Sequence, residues 1–391
     1  MISYEEALKL VLENAHTLGI ETVSFENSIN RVLAVDVVSD VDMPPFNKAA
    51  MDGYACRNVD LKNELEVIEV IPAGHWPEKT ICENQCSKIM TGAPLPQGAD
   101  TVIMIEYVKE VAPNKIVFSK EDTKSNVCLL GDDVKTGDVV LKKGTFIKAK
   151  HIPVLASAGA TQIEVFRQPV VAVVSTGNEL VEPEIRPQPS QIRNSNGYQL
   201  VAQVKELGLS VRYFGIARDT FEDTDALFQK AIAEADVLIM SGAVSVGDYD
   251  FVPEVLKKSG FDIHFHGVSV KPGKRTIFGT HENKWFVGVP GNPVSSYVQF
   301  ETLIKPLLLK IEGYDAFLKI LRLPLEDDFR RKNANRKAYE PIVITSRGTA
   351  KKMEYHGSAH INSLSYADGL MEIELGISEI KKGTLVNVRP I

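Results

Sequence analysis

Apolar residues near the N-terminus recur with the spacing of one helix face. Ala7 and Val11 stand four positions apart, as residues on a single buried side of a helix do. Ser3 and Glu6 form the S-x-x-E pattern of a capping box, in which each side chain accepts a backbone N–H of the first turn. We therefore predict a helix that starts after Ser3 and ends near Gly19.

Residues 19–165 follow a different pattern, in which short apolar and β-branched runs alternate with turn-rich stretches. The predicted strands lie at 67–71, 101–108, 115–118 and 139–141. Runs of this length bounded by Gly, Pro, Asn and Asp are typical of strands, so this part of the chain is predicted to be β-rich.

From residue 166 the chain alternates between apolar strands and amphipathic helices. Apolar runs predict strands at 170–174, 211–217 and 237–240, with further strands near 263–270, 276–279 and 285–289. Helices are predicted among them, one capped by Asp219 and the last running from Pro293 to about 311. Strands that alternate with helices in this way are typical of a doubly wound, largely parallel sheet covered on both faces.

The C-terminal residues 317–391 return to a two-residue alternation. Met371 and Ile373 alternate with glutamates, and Val386 and Val388 flank Asn387. This alternation predicts strands with one buried face and a small β-sandwich or barrel. The chain is therefore predicted to be a multidomain α/β plus β protein, with a central doubly wound α/β domain and β-rich subdomains on either side.

Composition narrows the classes of partner. The 391 residues would fill about two to three domains of roughly 150 residues each. The 44 Lys and Arg against 51 Asp and Glu give a net charge of −7, which argues against nucleic-acid binding and against attraction to anionic lipid.

No apolar run approaches the roughly 18–20 residues of a membrane span, and the first residues lack the features of a signal peptide. Four cysteines are too few for a disulfide framework, so we expect a cytoplasmic protein.

Loops of unusual composition follow predicted strands of the central domain, at 175–179, 241–250, 271–274 and 290–296. Ligands bind at the carboxyl ends of strands in open α/β sheets, glycines let backbone N–H groups approach a ligand, and helix N-termini favour anions. Lys271 and Lys274 add positive charge, so the loops together predict a phosphate or oxyanion site. Taken singly, each loop is also explained as a turn, and helix capping alone would explain Asp219 or Asp250.

The β-rich N-terminal region contains further strings, PPFNKAAMDGYA at 44–55, IMTGAP at 89–94 and GDD at 131–133. Asp52-Gly53 is a turn signal that carries a carboxylate. Each string alone is a weak signal. In this order, together with STGNEL, SGAVSVGDYD, VKPGK and GVPGNPVSS, they resemble the molybdopterin molybdenumtransferases, the MoeA family that includes the gephyrin E domain. The resemblance covers essentially the whole chain.

The resemblance implies an enzyme of molybdenum cofactor biosynthesis, which inserts molybdate into adenylylated molybdopterin and releases AMP in a Mg²⁺-dependent step. It also implies a homodimer whose partner subunit completes the cleft, and transient contacts with the molybdopterin adenylyltransferase and with apo-molybdoenzymes. The implied domains are a helix at 1–18 associated with the central domain, a discontinuous subdomain of 19–44 and 131–165, a projecting lobe at 45–130, the molybdopterin-binding 166–316 and the C-terminal 317–391.

The same resemblance assigns roles to individual residues. The expected catalytic residues are Asp52, Glu179, Asp219, Asp250, Lys271 and Lys274. The expected substrate-binding residues are Thr91, Asp133, Ser175, Thr176, Gly177, Ser241, Gly242, Ser245, Gly247, Pro290, Gly291, Asn292, Pro293 and Ser295. The expected ligands of Mg²⁺ are Glu179, Asp219 and Asp250, since this ion is usually held by one or two carboxylates together with phosphate oxygens. The two lysines would neutralise the pyrophosphate and molybdate anions.

The chain also departs from the family pattern. Ala243 stands where the family loop has a second glycine, Cys128 replaces an arginine, and Asn47 and Ala49 replace an aspartate and a serine. A non-catalytic pterin-binding or scaffold member is the alternative interpretation, and a nucleotide-processing enzyme that shares only the central domain is another. Retention of the carboxylates and lysines favours the transferase, and the lobe that carries MDGYA argues against the other enzyme.

Two further patterns resemble metal ligands. Cys82 and Cys86 have no second pair at the spacing of a zinc site. His264 and His266 have no acidic or cysteine partner at ligand spacing. We interpret these residues as ordinary thiols and structural histidines.

Overall fold

A computed structural model describes residues 1–242, 244, 251–315, 319–353 and 360–391 of the chain. The first helix is Tyr4–Glu13, and the Ser3 hydroxyl accepts a first-turn N–H at 3.0 Å, as the capping pattern predicts. The predicted end at Gly19 is wrong. The Asn14 side chain donates to the Leu10 carbonyl at 2.8 Å, and this local hydrogen bond closes the last turn early.

The remaining α-helices lie mostly in the central domain. In the described residues they are Ile152–Ser157, Asn196–Glu206, Phe221–Glu234, Val252–Lys258, Pro293–Gln299 and Lys305–Ile311, with the π-helical segment Phe300–Ile304 between the last two. The helix predicted to begin at Pro293 therefore continues to Ile311, with one wider turn inside it. No helix in the described part of the chain has both the length and the apolar composition needed to cross a bilayer.

The central sheet follows the predicted doubly wound pattern. Its strands lie side by side in the order Val211–Ala217, Val171–Thr176, Val237–Ser241, Lys284–Val289, Ile277–His281 and Asp262–His266. Neighbours among the first four strands are parallel. Ile277–His281 runs antiparallel to both of its neighbours. Its pairing with Lys284–Val289 follows from the tight turn at Glu282, since only antiparallel strands accept so short a connection.

Alternate residues of the central strands point to opposite faces of the sheet, and both faces are buried. Val171 and Val173 pack with the first helix, with Asn196–Glu206 and with the helices after Pro293. Ala172 and Val174 pack with the helices that contain Phe228 and Leu256. The predicted fold class, a central doubly wound α/β domain combined with β-rich regions, is confirmed.

The N-terminal region is β-rich, as predicted. One sheet has the order Thr101–Met104, Gly53–Cys56, Gln85–Ile89, Glu64–Ile71, Lys115–Phe118 and Val108–Ala112. The two-stranded pairs are Ile20–Ser24 with Gln162–Phe166, Val37–Val38 with Val139–Leu141, and Lys48–Ala49 with Val127–Cys128. Leu33 and Val37 share a core with Leu155 and Ile163. These contacts join segments that are distant in sequence, and the exact domain limits stay a prediction.

The C-terminal region contains a further sheet. Its strands have the order Val270–Lys271, Lys337–Ile344, Gly369–Ile373, Leu385–Pro390 and Leu321–Pro324, with Ala350–Lys352 paired to Lys337–Ile344. Two shorter pairs are Phe329–Arg330 with Glu379–Ile380 and, in the central region, Leu180–Val181 with Ile192–Arg193. Lys271 pairs with Ala338 in parallel, so the strand before the lysine loop belongs to the C-terminal sheet.

Candidate active-site cleft

The loops at the carboxyl ends of the central strands meet around a cavity of about 1240 Å³. Parallel strands end at the same edge of a sheet, and their loops therefore share one crevice. The predicted site residues that line this cavity are Glu179, Gly242, Lys271, Lys274, Pro290, Gly291, Asn292 and Ser295. The structure thus brings together residues from four separate loops.

Cations dominate the lining of this cavity. Besides Lys271 and Lys274, its basic residues are Arg275 and, from the C-terminal region, Lys332, Arg336 and Lys352. Arg336 donates to the Val270 carbonyl at 3.1 Å, which ties the C-terminal region to the lysine loop. The acidic lining residues are Glu179 and the buried Glu340, whose carboxylate lies 3.8 Å from Lys352 Nζ. An excess of positive charge in a crevice attracts anionic ligands.

Gly242 allows two of the loops to approach closely. Its φ is +86°, and a Cβ at this position would lie 2.5 Å from the Thr176 carbonyl oxygen. Both observations exclude a larger residue. Gly242 therefore lies directly against the end of the neighbouring strand Val171–Thr176.

A smaller cavity of about 320 Å³ adjoins the large one and shares Glu179, Gly242 and Gly291 with it. The predicted site residues in its lining are Thr176, Gly177, Glu179, Asp219, Ser241, Gly242, Gly291 and Pro293. The two cavities form one continuous candidate site at the sheet edge.

Asp219 does not cap the following helix, contrary to the sequence prediction. The cap is Thr220, whose hydroxyl accepts the Asp223 N–H at 3.2 Å. Asp219 instead accepts the Asn178 N–H at 3.0 Å, and its own N–H donates to Asn178 Oδ1 at 3.2 Å. The carboxylate is thereby held beside the smaller cavity and is not used to stabilise a helix end.

Ser175 is fully buried and lines neither cavity. Its hydroxyl donates to Asn194 Oδ1 at 3.0 Å, and Asn194 Nδ2 donates to the Tyr213 hydroxyl at 2.6 Å. Tyr213 in turn donates to Glu182 at 2.9 Å. Burial and the neighbouring Glu182 raise the pKa of Tyr213, so the phenol stays protonated. This chain of hydrogen bonds fixes the backbone beneath the cleft.

Asp52 and Thr91 lie together in the N-terminal lobe. Asp52 Oδ1 accepts the Thr91 N–H at 2.6 Å and the Thr91 hydroxyl at 2.7 Å. These two hydrogen bonds stabilise the ionised form and lower the pKa of Asp52. Asp133 lines a separate cavity of about 740 Å³, together with Lys48 and Cys128. Asp52, Thr91 and Asp133 line neither of the two central cavities.

The predicted metal ligands are only partly within the described residues. Glu179 and Asp219 share the smaller cavity, whereas Asp250, Ser245, Gly247 and Ala243 lie outside the part of the chain that the structure describes. Within that part, no group of three or more His, Cys, Asp or Glu side chains is placed to hold a metal ion. His264 contacts the Thr280 hydroxyl at 2.8 Å, and all four cysteines are free.

Sequence reasoning missed several residues of the cleft. They are Arg275, Lys332, Arg336 and Lys352 among the cations, and Asn194 and Asn196 beside the smaller cavity. The signal for the asparagines was the string NSNG at the start of a helix, because Asn is favoured at helix starts. The C-terminal cations have no comparable local signal, since only the pairing of Lys271 with Ala338 brings them to the cleft.

The fold and the cleft define a class of α/β protein with a cation-lined crevice at the edge of its sheet. Models of known families match three consecutive parts of the chain. Residues 2–159 match the MoeA N-terminal region (domain I and II), residues 172–310 a probable molybdopterin binding domain, and residues 322–391 the MoeA C-terminal region (domain IV).

Relatives and solved structures agree with these matches. The molybdopterin molybdenumtransferase of Staphylococcus epidermidis is 35% identical over 99% of this chain and 95% of its own length, and that of Staphylococcus aureus is 32% identical over the same shares. A crystal structure of the molybdopterin biosynthesis MoeA protein from Pyrococcus horikoshii has a TM-score of 0.86 at 29% identity and covers 100% of both chains. A second crystal structure of the Pyrococcus horikoshii protein has a TM-score of 0.81 at 32% identity to the present chain, and it covers 100% of this chain and 99% of its own.

The chain therefore belongs to the MoeA family. Its role is in molybdenum cofactor biosynthesis, and it is a transferase.

Proposed function

We propose that this transferase inserts molybdate into adenylylated molybdopterin and releases AMP. The observation that carries the proposal is the cation-lined cavity, whose lining includes Lys271 and Lys274 from the central region and Arg336 and Lys352 from the C-terminal region. The substrate pyrophosphate and molybdate are both anions, which lysine and arginine bind through charge-assisted hydrogen bonds. The names of the curated relatives support the same substrates.

The chemistry required is cleavage of a phosphoanhydride and transfer of an oxyanion. Reactions of this kind depend mainly on positioning and on stabilisation of negative charge. Lys271 and Lys274 are exposed within the cleft and would stabilise charge on the phosphate oxygens. Asn178 and Asp219 hold two of the cleft loops in fixed positions, which keeps the reacting groups aligned.

The residues present fit a Mg²⁺ ion. Glu179 and Asp219 contribute two carboxylates to one cavity that adjoins the cationic crevice, and Mg²⁺ usually binds one or two carboxylates plus substrate phosphate oxygens. Glu179 and Asp219 would hold the ion, and Asp250 is a further proposed ligand. When bound, the ion would reduce repulsion between the substrate phosphates and these carboxylates.

A homodimer would explain the position of the remaining predicted residues. Asp52, Thr91 and Asp133 line neither central cavity of their own chain, so the proposal places them at the cleft of a second copy. In that arrangement Asp52 and Glu179 act near molybdate, while Asp219 and Asp250 orient the substrate. The proposal also includes transient contacts with the molybdopterin adenylyltransferase and with apo-molybdoenzymes. It includes a cytoplasmic location, which the four free cysteines support.

The test combines purified protein, adenylylated molybdopterin, Mg²⁺ and molybdate, and measures AMP. We expect molybdate-stimulated AMP release that falls at least about tenfold in Lys271→Ala and Lys274→Ala, since each removes a charge-assisted contact. Lys230→Ala is the control, because Lys230 is an exposed lysine on the helix Phe221–Glu234, away from the cleft lining.

Absence of molybdate-stimulated AMP release, under conditions in which the Staphylococcus relatives are active, would overturn the enzymatic proposal. Light scattering tests the shared cleft separately. A monomer at micromolar concentration would contradict it.

A further inference from the structure

Asn196 lines the smaller cavity and is 7% exposed. It is the first residue of the helix Asn196–Glu206. Its Nδ2 donates to Ser241 Oγ at 2.8 Å and to the Gly291 carbonyl oxygen at 2.8 Å. A carbonyl oxygen only accepts, so this contact determines which amide atom is the nitrogen and which is the oxygen.

The oxygen of this amide, Asn196 Oδ1, is buried and has no hydrogen-bond partner among the described residues. Buried polar atoms are nearly always paired, because an unpaired one has lost its hydration without replacement. Asn194 shows the usual situation, since its Oδ1 accepts from Ser175 Oγ at 3.0 Å and from the Gly197 N–H at 3.1 Å. The unpaired acceptor of Asn196 therefore requires an explanation that its neighbour does not.

The two cavities of the cleft differ in chemistry. The larger one is lined by cations, whereas the smaller one combines Asn196 with the carboxylates of Glu179 and Asp219, and with Arg193, which is exposed. Glu179 and Asp219 are the proposed Mg²⁺ ligands, whereas the Asn196 amide oxygen is an unpaired acceptor in the same lining. An amide oxygen accepts hydrogen bonds, so the part of the smaller cavity beside Asn196 suits a group that presents N–H donors. Its volume of about 320 Å³ lies at the lower end of the range for small-molecule sites and accommodates one fused ring system.

We infer that Asn196 Oδ1 accepts a hydrogen bond from the N–H edge of a substrate heterocycle, and that this contact determines which ring enters the smaller cavity. The inference rests on the proposed function, in which the substrate carries two heterocycles with N–H donors, the pterin and the adenine. The phosphates between them then extend into the cationic cavity. Asn196 is a specificity-determining residue in this arrangement.

The experiment compares ligands that carry the N–H donor with forms in which methyl groups replace the donor hydrogens. Binding of pterin and of N3-methylpterin is measured by fluorescence, and binding of AMP and of N6,N6-dimethyl-AMP by calorimetry. For the ring that occupies the cavity, the wild-type protein should bind the donor-bearing ligand about five- to tenfold more tightly than its methylated form, as expected for one buried hydrogen bond. The preference should disappear in Asn196→Ala. A preference between the two pterins would identify the pterin as the ring in the cavity, and a preference between the two AMP ligands would identify the adenine.

Ser87→Ala is the control variant. Ser87 is also fully buried with an unpaired oxygen, but it lies in the N-terminal sheet, so the preference should be unchanged. A general folding defect in Asn196→Ala would weaken both members of a ligand pair equally, and the wild-type comparison stands by itself.

Equal affinities for methylated and unmethylated ligands in the wild-type protein would overturn the inference, as would a preference that persists in Asn196→Ala. Molybdate-stimulated AMP release by the wild-type protein separates this failure from failure of the proposed function. If release is present, only the role of Asn196 is rejected.

Discussion

Asn178 and Asp219 exchange two hydrogen bonds across the carboxyl ends of neighbouring parallel strands. One loop follows Val171–Thr176 and the other follows Val211–Ala217. The pair therefore joins two walls of the cleft at the point where Asp219 faces the smaller cavity.

Asn178→Ala removes the acceptor for the Asp219 N–H and keeps only the hydrogen bond from the backbone N–H of residue 178 to the Asp219 carboxylate, so the Asp219 loop can shift. We expect kcat/KM for AMP release to fall by about ten- to a hundredfold, because small displacements in an active site have effects of this size. The loss in unfolding free energy should be only about 1 kcal/mol. Thr220→Ala is the matched control. It removes the helix cap at a similar cost of about 1 kcal/mol and should leave turnover nearly unchanged, whereas equal loss of turnover in both variants would contradict the positional role.

Gly242→Ala should destabilise the central domain. A Cβ would lie 2.5 Å from the Thr176 carbonyl oxygen, at a φ of +86°, and strain of this kind costs about 1–3 kcal/mol even before the clash is relieved. Gly291→Ala is the comparison, because its Cβ would lie 3.6 Å from Gly242 Cα, an ordinary contact. Thermal unfolding should show a lower midpoint for the first variant and nearly the wild-type midpoint for the second. Equal midpoints would mean that the loop adjusts freely.

Glu312 should make stability depend on pH. Its side chain is 1% exposed, with Oε1 accepting from Gln168 at 2.8 Å. Burial raises the pKa of this carboxyl to about 7, against the opposing effects of Gln168, Arg31 and Lys148. The pKa of this carboxyl is about 4.3 in the unfolded chain and about 7 in the folded protein. At pH values between these two, the folded protein binds more protons than the unfolded chain. Stability should therefore fall as pH rises through this window.

Glu312→Gln removes this titration and keeps the acceptor for Gln168. The variant should be more stable than wild type by about 2–3 kcal/mol at pH 8 and by less than about 1 kcal/mol at pH 5. Urea unfolding at both pH values measures the difference. A gap between the two proteins that does not change with pH would show that Glu312 has an ordinary pKa in the folded state.

Thr91 should control the ionisation of Asp52. Its N–H and its hydroxyl both lower the pKa of this carboxyl, and Thr91→Val removes only the hydroxyl. We expect a higher pKa for Asp52 in a ¹³C NMR titration, and AMP release that is lost at higher pH than in wild type as the solution is acidified. Thr91→Ser keeps the hydroxyl and should titrate like wild type. An unchanged pKa in Thr91→Val would show that the hydroxyl has no effect.

The four cysteines should differ in reactivity. Cys56 and Cys86 are neighbours across an antiparallel ladder, and burial raises the pKa of each thiol to about 12. Since the thiolate is the reactive form, Ellman's reagent at pH 8 should label Cys82 and Cys128 in the native protein, and Cys56 and Cys86 only after denaturation. Cys82→Ser should abolish the fastest phase, because Cys82 is exposed. Rapid labelling of all four thiols would contradict the burial of this pair.

The cleft itself could be predicted only in part. Glycine loops and paired lysines stand in the sequence directly after apolar strands, and general rules place such loops at one sheet edge. The capping role predicted for Asp219 was wrong, because a carboxylate before a helix resembles a cap, whereas its hydrogen-bond partner Asn178 is distant along the chain. Asn196 was missed because burial of its amide depends on Ser241 and Gly291.

The sequence by itself determined the alternation of strands and helices in the central domain, its doubly wound class and the family. These depend on periodicity and on short strings, which are local properties of the chain. Only the tertiary structure decided that Lys271 pairs with Ala338, that C-terminal cations line the cleft, and that Asp52 and Thr91 lie apart from it. The physical reason is that pairing between distant segments is selected by packing and backbone hydrogen bonding across the whole fold, and no local pattern records that selection.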